Sequence, residues 1–79
     1  MITVNQLKEK AVKLSNSKFN NGEPVLFCVD YGFYLGTTIH SRLFSTAEKA
    51  IAFLGSLYEK DYKNVYPVFD IWGNPNQVD

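Results

Sequence analysis

The feature that most constrains this fold is a short amphipathic helix that follows a long stretch with β-strand character. Ser45 stands where an N-cap is expected, and Glu48 completes the pattern of a capping box. Gly55 inside the helix indicates a close approach of the helix to the sheet. Apolar residues then repeat at helical spacing on one face: Ala47, Ala50, Ile51, Leu54, Leu57 and Tyr58. Strands, then a capped helix, then a further strand predict a small α+β domain.

A second helix is predicted at the start of the chain. Thr3 is the expected N-cap, and Gln6 is placed to return its hydrogen bond. Ile2 and Leu7 occupy the two positions of a hydrophobic staple. Turn-forming residues predict that this helix ends near residues 15–18.

The segment between the helices is predicted to form two or three strands. Residues 25–29 are apolar at every position, so both faces of the first strand should be covered. Residues 30–32 are expected to form a tight turn, with Gly32 in the left-handed conformation. The alternation over residues 33–44 predicts a second strand, in which Gly36 is either a bulge or a turn that separates a third strand.

The last strand is predicted over residues 65–72. Pro67 lacks a backbone donor, which favours an edge position or a bulge. Residues 73–79 form a polar tail that is expected to be loose. The elements together predict a single domain over residues 1–79, with a three- or four-stranded, mainly antiparallel sheet and both helices packed on one face.

Charge and cysteine content limit the classes of function. The formal net charge of zero argues against a general electrostatic attraction to nucleic acid. The charge is nevertheless uneven, because residues 1–21 carry +3 and residues 22–79 carry −3. The single Cys28 excludes an internal disulfide and fits a reducing compartment. No apolar run is long enough to span a membrane, and the N-terminus does not resemble a secretory signal, so a cytoplasmic location is expected.

The sequence predicts no catalytic, metal or cofactor site. His40 is the only histidine, and no nucleophile and acid accompany it in a catalytic pattern. Cys28 lies among apolar neighbours and should be a packing residue with a high pKa. One histidine and one cysteine cannot furnish a structural zinc site, and the carboxylates lack the spacing of a calcium loop. We therefore expect a protein that is not an enzyme and that uses no cofactor.

The chain has twelve aromatic residues, more than one small core needs. Strand alternation sends Tyr34, Tyr66 and Trp72 to the sheet face away from the helices. Asp30 and Asp70 are expected to border this face. Tyr and Trp are typical anchors of protein interfaces, so the pattern predicts an interaction module whose partner is another protein or a second copy in a homodimer. Rings that cover the edges of the core are the other interpretation.

The alternative function is binding of single-stranded nucleic acid. The same aromatic residues would stack on bases. The acidic residues of segment 22–79 count against this function, and a solvated helix face is the more ordinary interpretation of the basic residues. The cations available for phosphate contacts are four lysines near the N-terminus: Lys8, Lys10, Lys13 and Lys18.

The module also has a likeness in size and pattern to known proteins. It is compact and neutral, and a hairpin leads through residues 44–48, Phe-Ser-Thr-Ala-Glu, into a helix. In these respects it resembles small phage-encoded accessory proteins that bind and block a host enzyme, anti-CRISPR and anti-restriction proteins among them. The likeness implies an inhibitor or adaptor. It involves no family motif, so no functional residue is carried over from it.

Overall fold

The protein has two helices and one antiparallel sheet. A computed structural model describes residues 2–18, Gly22 and residues 24–69. The three strands of these residues form one sheet, in which β1 (Val25–Gly32) lies between β2 (His40–Phe44) and β3 (Tyr62–Phe69), and both pairs are antiparallel. The predicted α+β class is therefore confirmed. The elements in chain order are α1 (Val4–Ser15), β1 (Val25–Gly32), β2 (His40–Phe44), α2 (Ala47–Ser56) and β3 (Tyr62–Phe69).

The hydrophobic core lies between the helices and one face of the sheet. Leu7 and Val29 are completely buried at its centre. Because both helices contribute to one cluster, both pack on the same face, as predicted. The buried members of this cluster come from all five elements: Leu7, Phe27, Val29, Phe44, Ala47, Ala50, Leu54 and Val65.

The N-terminus of α1 is fixed by the predicted capping box. The hydroxyl of Thr3 accepts a hydrogen bond from the backbone N–H of Gln6 at 3.1 Å. The side chain of Gln6 accepts one from the backbone N–H of Thr3 at 2.9 Å. The helix ends at Ser15, within the predicted range. Neither α1 nor α2, the helices of the described residues, is long and apolar enough to cross a membrane.

The N-cap of α2 differs from the prediction by one residue. The cap is Thr46, whose hydroxyl accepts a hydrogen bond from the backbone N–H of Lys49 at 3.2 Å. The prediction of Ser45 was wrong because two adjacent hydroxyl residues suit the same role. Glu48 is therefore not the capping-box residue. Its carboxylate forms an exposed ion pair with Lys8 at 3.2 Å instead.

The connection between β1 and β2 departs most from the prediction. Residues 30–32 were expected to turn, but they continue β1, and residues 33–39 form the loop before β2. Gly32 does not have the predicted left-handed conformation. A Cβ atom there would lie 2.8 Å from Cδ1 of Ile39, so glycine allows the loop to pass close to the strand. A continuous strand over residues 33–44 was thus wrong for residues 33–39, and of the two roles left open for Gly36 the structure shows the turn, with β2 following it.

The last strand, β3, lies at an edge of the sheet. This position agrees with the prediction from Pro67, which has no backbone N–H group to donate to a neighbouring strand. The strand begins at Tyr62, earlier than predicted, and pairs with β1 along its whole length. Residues 70–72 of the predicted strand and the predicted tail, residues 73–79, lie outside the described residues.

Gly55 does not mark a close approach of α2 to the sheet. It is exposed, and a Cβ atom there would meet nothing within 4 Å. We therefore expect Gly55→Ala to raise the free energy of unfolding by roughly 0.5–1 kcal/mol in urea melts, because alanine loses less backbone freedom in a helix. Gly32→Ala is the matched control and should lower it, because its Cβ would lie only 3.2 Å from the backbone carbonyl oxygen of Thr38 as well as against the side chain of Ile39. A loss of stability in Gly55→Ala would contradict the observed packing.

Candidate functional site

The sheet face away from the helices carries a hydrogen-bonded polar cluster. Asp30 is at its centre, where Oδ1 accepts from the hydroxyl of Ser41 at 2.6 Å and from the thiol of Cys28 at 3.5 Å. Its Oδ2 accepts from the hydroxyl of Tyr66 at 2.9 Å. Asp30 and Tyr66 therefore share this face, as predicted. They bind each other, however, and Tyr66 is half-buried, which leaves its hydroxyl engaged within the protein.

Cys28 is a buried packing residue of this cluster, as predicted. Burial raises the pKa of its thiol, and the negative charge of Asp30 adds to this effect, although the hydrogen bond with Tyr66 opposes it. The pKa of Tyr66 is raised as well, first by its hydrogen bond with Cys28 and then by burial. Both groups are thus held in their protonated forms. A thiol with a raised pKa is a poor nucleophile at neutral pH.

The raised pKa of Cys28 makes stability depend on alkaline pH. In the unfolded chain the thiol ionises near its ordinary pKa of 9.0, whereas the folded protein keeps it protonated to higher pH. Above pH 9.0 the unfolded state binds fewer protons than the folded state. The stabilisation that the protonated thiol provides below this pH is therefore lost as the pH rises. We expect the free energy of unfolding in urea to decline above about pH 9, with a smaller decline in Cys28→Ala. Identical slopes would contradict this assignment.

Tyr34 does not lie on this sheet face. It belongs to the loop before β2, where its ring centroid lies 6.5 Å from that of Tyr58. The ammonium group of Lys60 lies 5.3 Å from the same ring. The predicted grouping of Tyr34 with Tyr66 was therefore wrong, because the alternation was counted along a strand that does not form. Trp72 and Asp70, the other predicted site residues, lie outside the described residues.

A different surface gathers the exposed apolar side chains at one end of the sheet. Seven large hydrophobic side chains are strongly exposed among the described residues, and all but Val12 of α1 come from the loop before β2, from the segment that links α2 to β3, or from the first residue of β3. Each of them exposes more than half of its area. We call this surface the apolar tip, and it consists of Phe33, Tyr34, Leu35, Ile39, Tyr58 and Tyr62.

Close contacts hold the two segments of the apolar tip together. The position of a Cβ atom on Gly32 lies 2.8 Å from Ile39 and 3.8 Å from Tyr62, so these two side chains flank the same glycine. Tyr34 and Tyr58 bring their rings together across the two segments. The exposed apolar side chains therefore lie near one another at this end of the sheet, with Ile39 beside Tyr62 and Tyr34 beside Tyr58.

Leu35 is at the most exposed point of the apolar tip. The backbone N–H of Gly36 donates to the carbonyl oxygen of Phe33 at 2.7 Å and closes a turn, in which Leu35 has a φ of 70°. Glycine is the usual residue at such a position, because a Cβ atom is strained there by about 1–2 kcal/mol. The side chain of Leu35 is 87% exposed and adds nothing to the core. Backbone strain of this kind is typical of functional sites.

The basic residues of the alternative prediction lie on the other side of the molecule from Tyr66. Lys8, Lys10 and Lys13 are exposed on α1, which packs on the helix-covered face of the sheet. The sheet therefore separates them from Tyr66, and the structure does not bring these cations and this ring together. Lys8 also forms the ion pair with Glu48. Lys18, which follows the helix, is exposed.

Neither metal chemistry nor a known relative explains the apolar tip. Among the residues that the structure describes, no group of three or more His, Cys, Asp or Glu side chains could hold a metal ion. His40 packs against the rings of Tyr31 and Phe33, at centroid distances of 5.4 and 5.7 Å. No protein-family model, curated protein or solved structure matches the chain. What defines the protein is a small α+β fold with an exposed apolar end.

Proposed function

We propose that this protein is a non-enzymatic interaction module that binds another protein through the apolar tip. The observation that carries this proposal is the collection of nearly all strongly exposed apolar side chains of the described residues at one end of the sheet. Exposed apolar side chains gathered in one region are typical of interaction sites in soluble proteins. Aromatic residues, which make up four of the six residues of the apolar tip, are enriched at the centres of protein interfaces.

The shape and chemistry of the apolar tip specify the partner surface. Leu35 projects from a tight turn, so the partner should offer a concave apolar pocket that accepts one branched aliphatic side chain. The tyrosine hydroxyls around it favour hydrogen-bond acceptors at the rim of that pocket. Lys60, which lies over the ring of Tyr34, favours an acidic group on the same rim. The proposed partner is therefore a folded protein with an apolar pocket and an acidic rim.

An inhibitor or adaptor is the specific form of this function that we propose. A small module that inserts one apolar turn into a pocket can block that pocket or tether a second protein to it. The likeness in size and pattern to phage accessory proteins favours an inhibitor of a host enzyme or defence complex. The reduced, buried thiol of Cys28 fits action in the cytoplasm.

The test compares two substitutions that add the same charge at exposed aliphatic positions. A tagged wild-type chain captures its partner from lysate, and the purified partner is then titrated calorimetrically with the wild type, Leu35→Asp and Val12→Asp. Val12 is 58% exposed but lies outside the apolar tip. Leu35→Asp should weaken binding at least about 30-fold, because a carboxylate cannot enter an apolar pocket, whereas Val12→Asp should change it less than about threefold.

Other outcomes would assign the surface differently. Equal effects of the two variants would exclude the apolar tip as the binding site. Tight, salt-sensitive binding of single-stranded oligonucleotides that disappears when Lys8, Lys10 and Lys13 are changed to Gln would favour nucleic-acid binding instead. Self-association that sedimentation detects in the wild type and not in Leu35→Asp would make the partner a second copy of this chain.

A further inference from the structure

One carboxylate ties the two segments of the apolar tip together. Oδ1 of Asp61 accepts a hydrogen bond from the backbone N–H of Tyr34 at 2.7 Å, across 27 positions of the sequence. Its Oδ2 accepts one from the backbone N–H of Tyr58 at 3.2 Å. The backbone N–H of Asp61 donates in turn to the carbonyl oxygen of Tyr58 at 2.9 Å. The loop before β2 is thereby bound to the segment after α2.

The segment that carries Asp61 is itself held in place. The ammonium group of Lys63 donates to the carbonyl oxygens of Tyr58 and Glu59, at 2.9 and 3.2 Å. Hydrogen bonds in which one partner is charged are about twice as strong as neutral ones. Asp61 is also half-buried, which restricts the positions that its side chain can occupy. The carboxylate thus extends from a fixed base toward the turn at residues 33–36.

We infer that Asp61 is the positioning residue of the apolar tip and that it holds Leu35 in its left-handed conformation before a partner arrives. Tyr34 directly precedes Leu35, so a bond to the N–H of Tyr34 fixes the turn at its second residue. A loop that is already ordered loses less conformational freedom on binding. This inference deepens the proposed function, and its consequence for affinity rests on that function.

The chemistry of a carboxylate suits this role better than that of the related side chains. Two N–H groups point at Asp61, and only a carboxylate offers each of them an acceptor oxygen. In Asp61→Asn one of the two would face an amide N–H₂ group, and in Asp61→Ala both would lose their acceptor. The strained backbone of Leu35 would then be free to relax.

The first test measures the free protein by NMR. We expect Asp61→Ala to speed amide exchange of Tyr34 at least about tenfold and to average the HN–Hα coupling of Leu35, which reports its φ angle. Asp61→Asn should fall between Asp61→Ala and the wild type. Glu59→Gln is the matched control, because it removes a negative charge from the same segment and should leave both readouts at wild-type values. Exchange across the core strands should also stay unchanged, which separates local loosening from unfolding.

The second test measures affinity for the purified protein that the wild-type chain captures. Asp61→Ala should weaken binding about tenfold, and Glu59→Gln should not. Unchanged Tyr34 exchange and Leu35 coupling in Asp61→Ala would overturn the inference. The inference would also be overturned if Asp61→Ala loosened the turn but bound the partner with wild-type affinity, provided that Leu35→Asp weakens binding in the same assay. If Leu35→Asp leaves affinity intact, the proposed function fails while the positioning of Leu35 by Asp61 still stands on the first test.

Discussion

Leu54→Ala should destabilise the fold by about 2–4 kcal/mol. Leu54 is only 4% exposed and belongs to the core cluster to which both helices contribute. Its truncation leaves a cavity between α2 and the sheet that the surrounding backbone cannot fill. The effect is large for this chain, because a domain of its size buries only about 60–65% of its unfolded surface and has little stability in reserve.

Urea melts followed by circular dichroism measure this effect. Leu35→Ala is the matched control, because it removes the same atoms from a leucine that is exposed to solvent. We expect Leu35→Ala to change the free energy of unfolding by no more than about 0.5 kcal/mol. A loss of similarly small size in Leu54→Ala would show that the buried face of α2 has been misassigned.

The two helices could be predicted from sequence because their signals are local. The 3-4 spacing of apolar residues in α2 identified Ala47, Ala50 and Leu54 as core residues, and the structure buries all three. Tyr58 was wrongly included in the same stripe, because the helix ends at Ser56 and Tyr58 is exposed beyond it. The cap of α1 was likewise read from residues within one turn. Phe53 was missed, since it lies beside the predicted stripe. It packs against the rings of Tyr31 and Phe44, at centroid distances of 5.1 and 5.3 Å, which depend on where β1 and β2 lie.

The path of the chain after β1 could not be predicted, because distant pairing decides it. Residues 30–32 have the composition of a tight turn, yet β1 continues through them to pair with the start of β3, where Gly32 lies opposite Tyr62. A local turn signal is outweighed by a ladder with residues about thirty positions away, which no short window reveals. The apolar tip was missed for this reason. Phe33, Leu35 and Ile39 alternate as they would in a strand, but they lie in a loop.

The polar cluster on the sheet face away from the helices shows a similar limit. Sequence alternation placed Asp30 and Tyr66 on one face, and this prediction was correct. Their hydrogen bond joins residues 36 positions apart and depends on the register of β1 with β3. The bond to Ser41 depends in the same way on the register with β2. Asp30 and Tyr66, which were expected at an interface, therefore form a hydrogen bond with each other. The most exposed apolar surface lies elsewhere.

Leu35→Gly should weaken partner binding by at least about 2 kcal/mol, or about 30-fold, without any loss of stability. The left-handed φ of 70° at this position strains a residue that has a Cβ atom, and glycine adopts it freely. The side chain that is lost is exposed, so no core contact is lost with it. Relief of strain stabilises the folded protein, whereas the greater freedom of glycine stabilises the unfolded chain. We expect these two effects together to raise the free energy of unfolding by about 0 to 1 kcal/mol.

Calorimetry with the captured partner measures affinity, and urea melts of the free protein measure the free energy of unfolding. Leu35→Ala separates the loss of the side chain from the relief of backbone strain. Alanine also removes the contacts of the leucine side chain, so it should weaken binding as much as glycine does. It keeps the strained Cβ atom, so it should be the less stable of the two variants. A loss of more than about 1 kcal/mol of stability in Leu35→Gly would instead make Leu35 a structural residue. Full stability combined with lost affinity would mean that the strained turn exists to present this side chain to a partner.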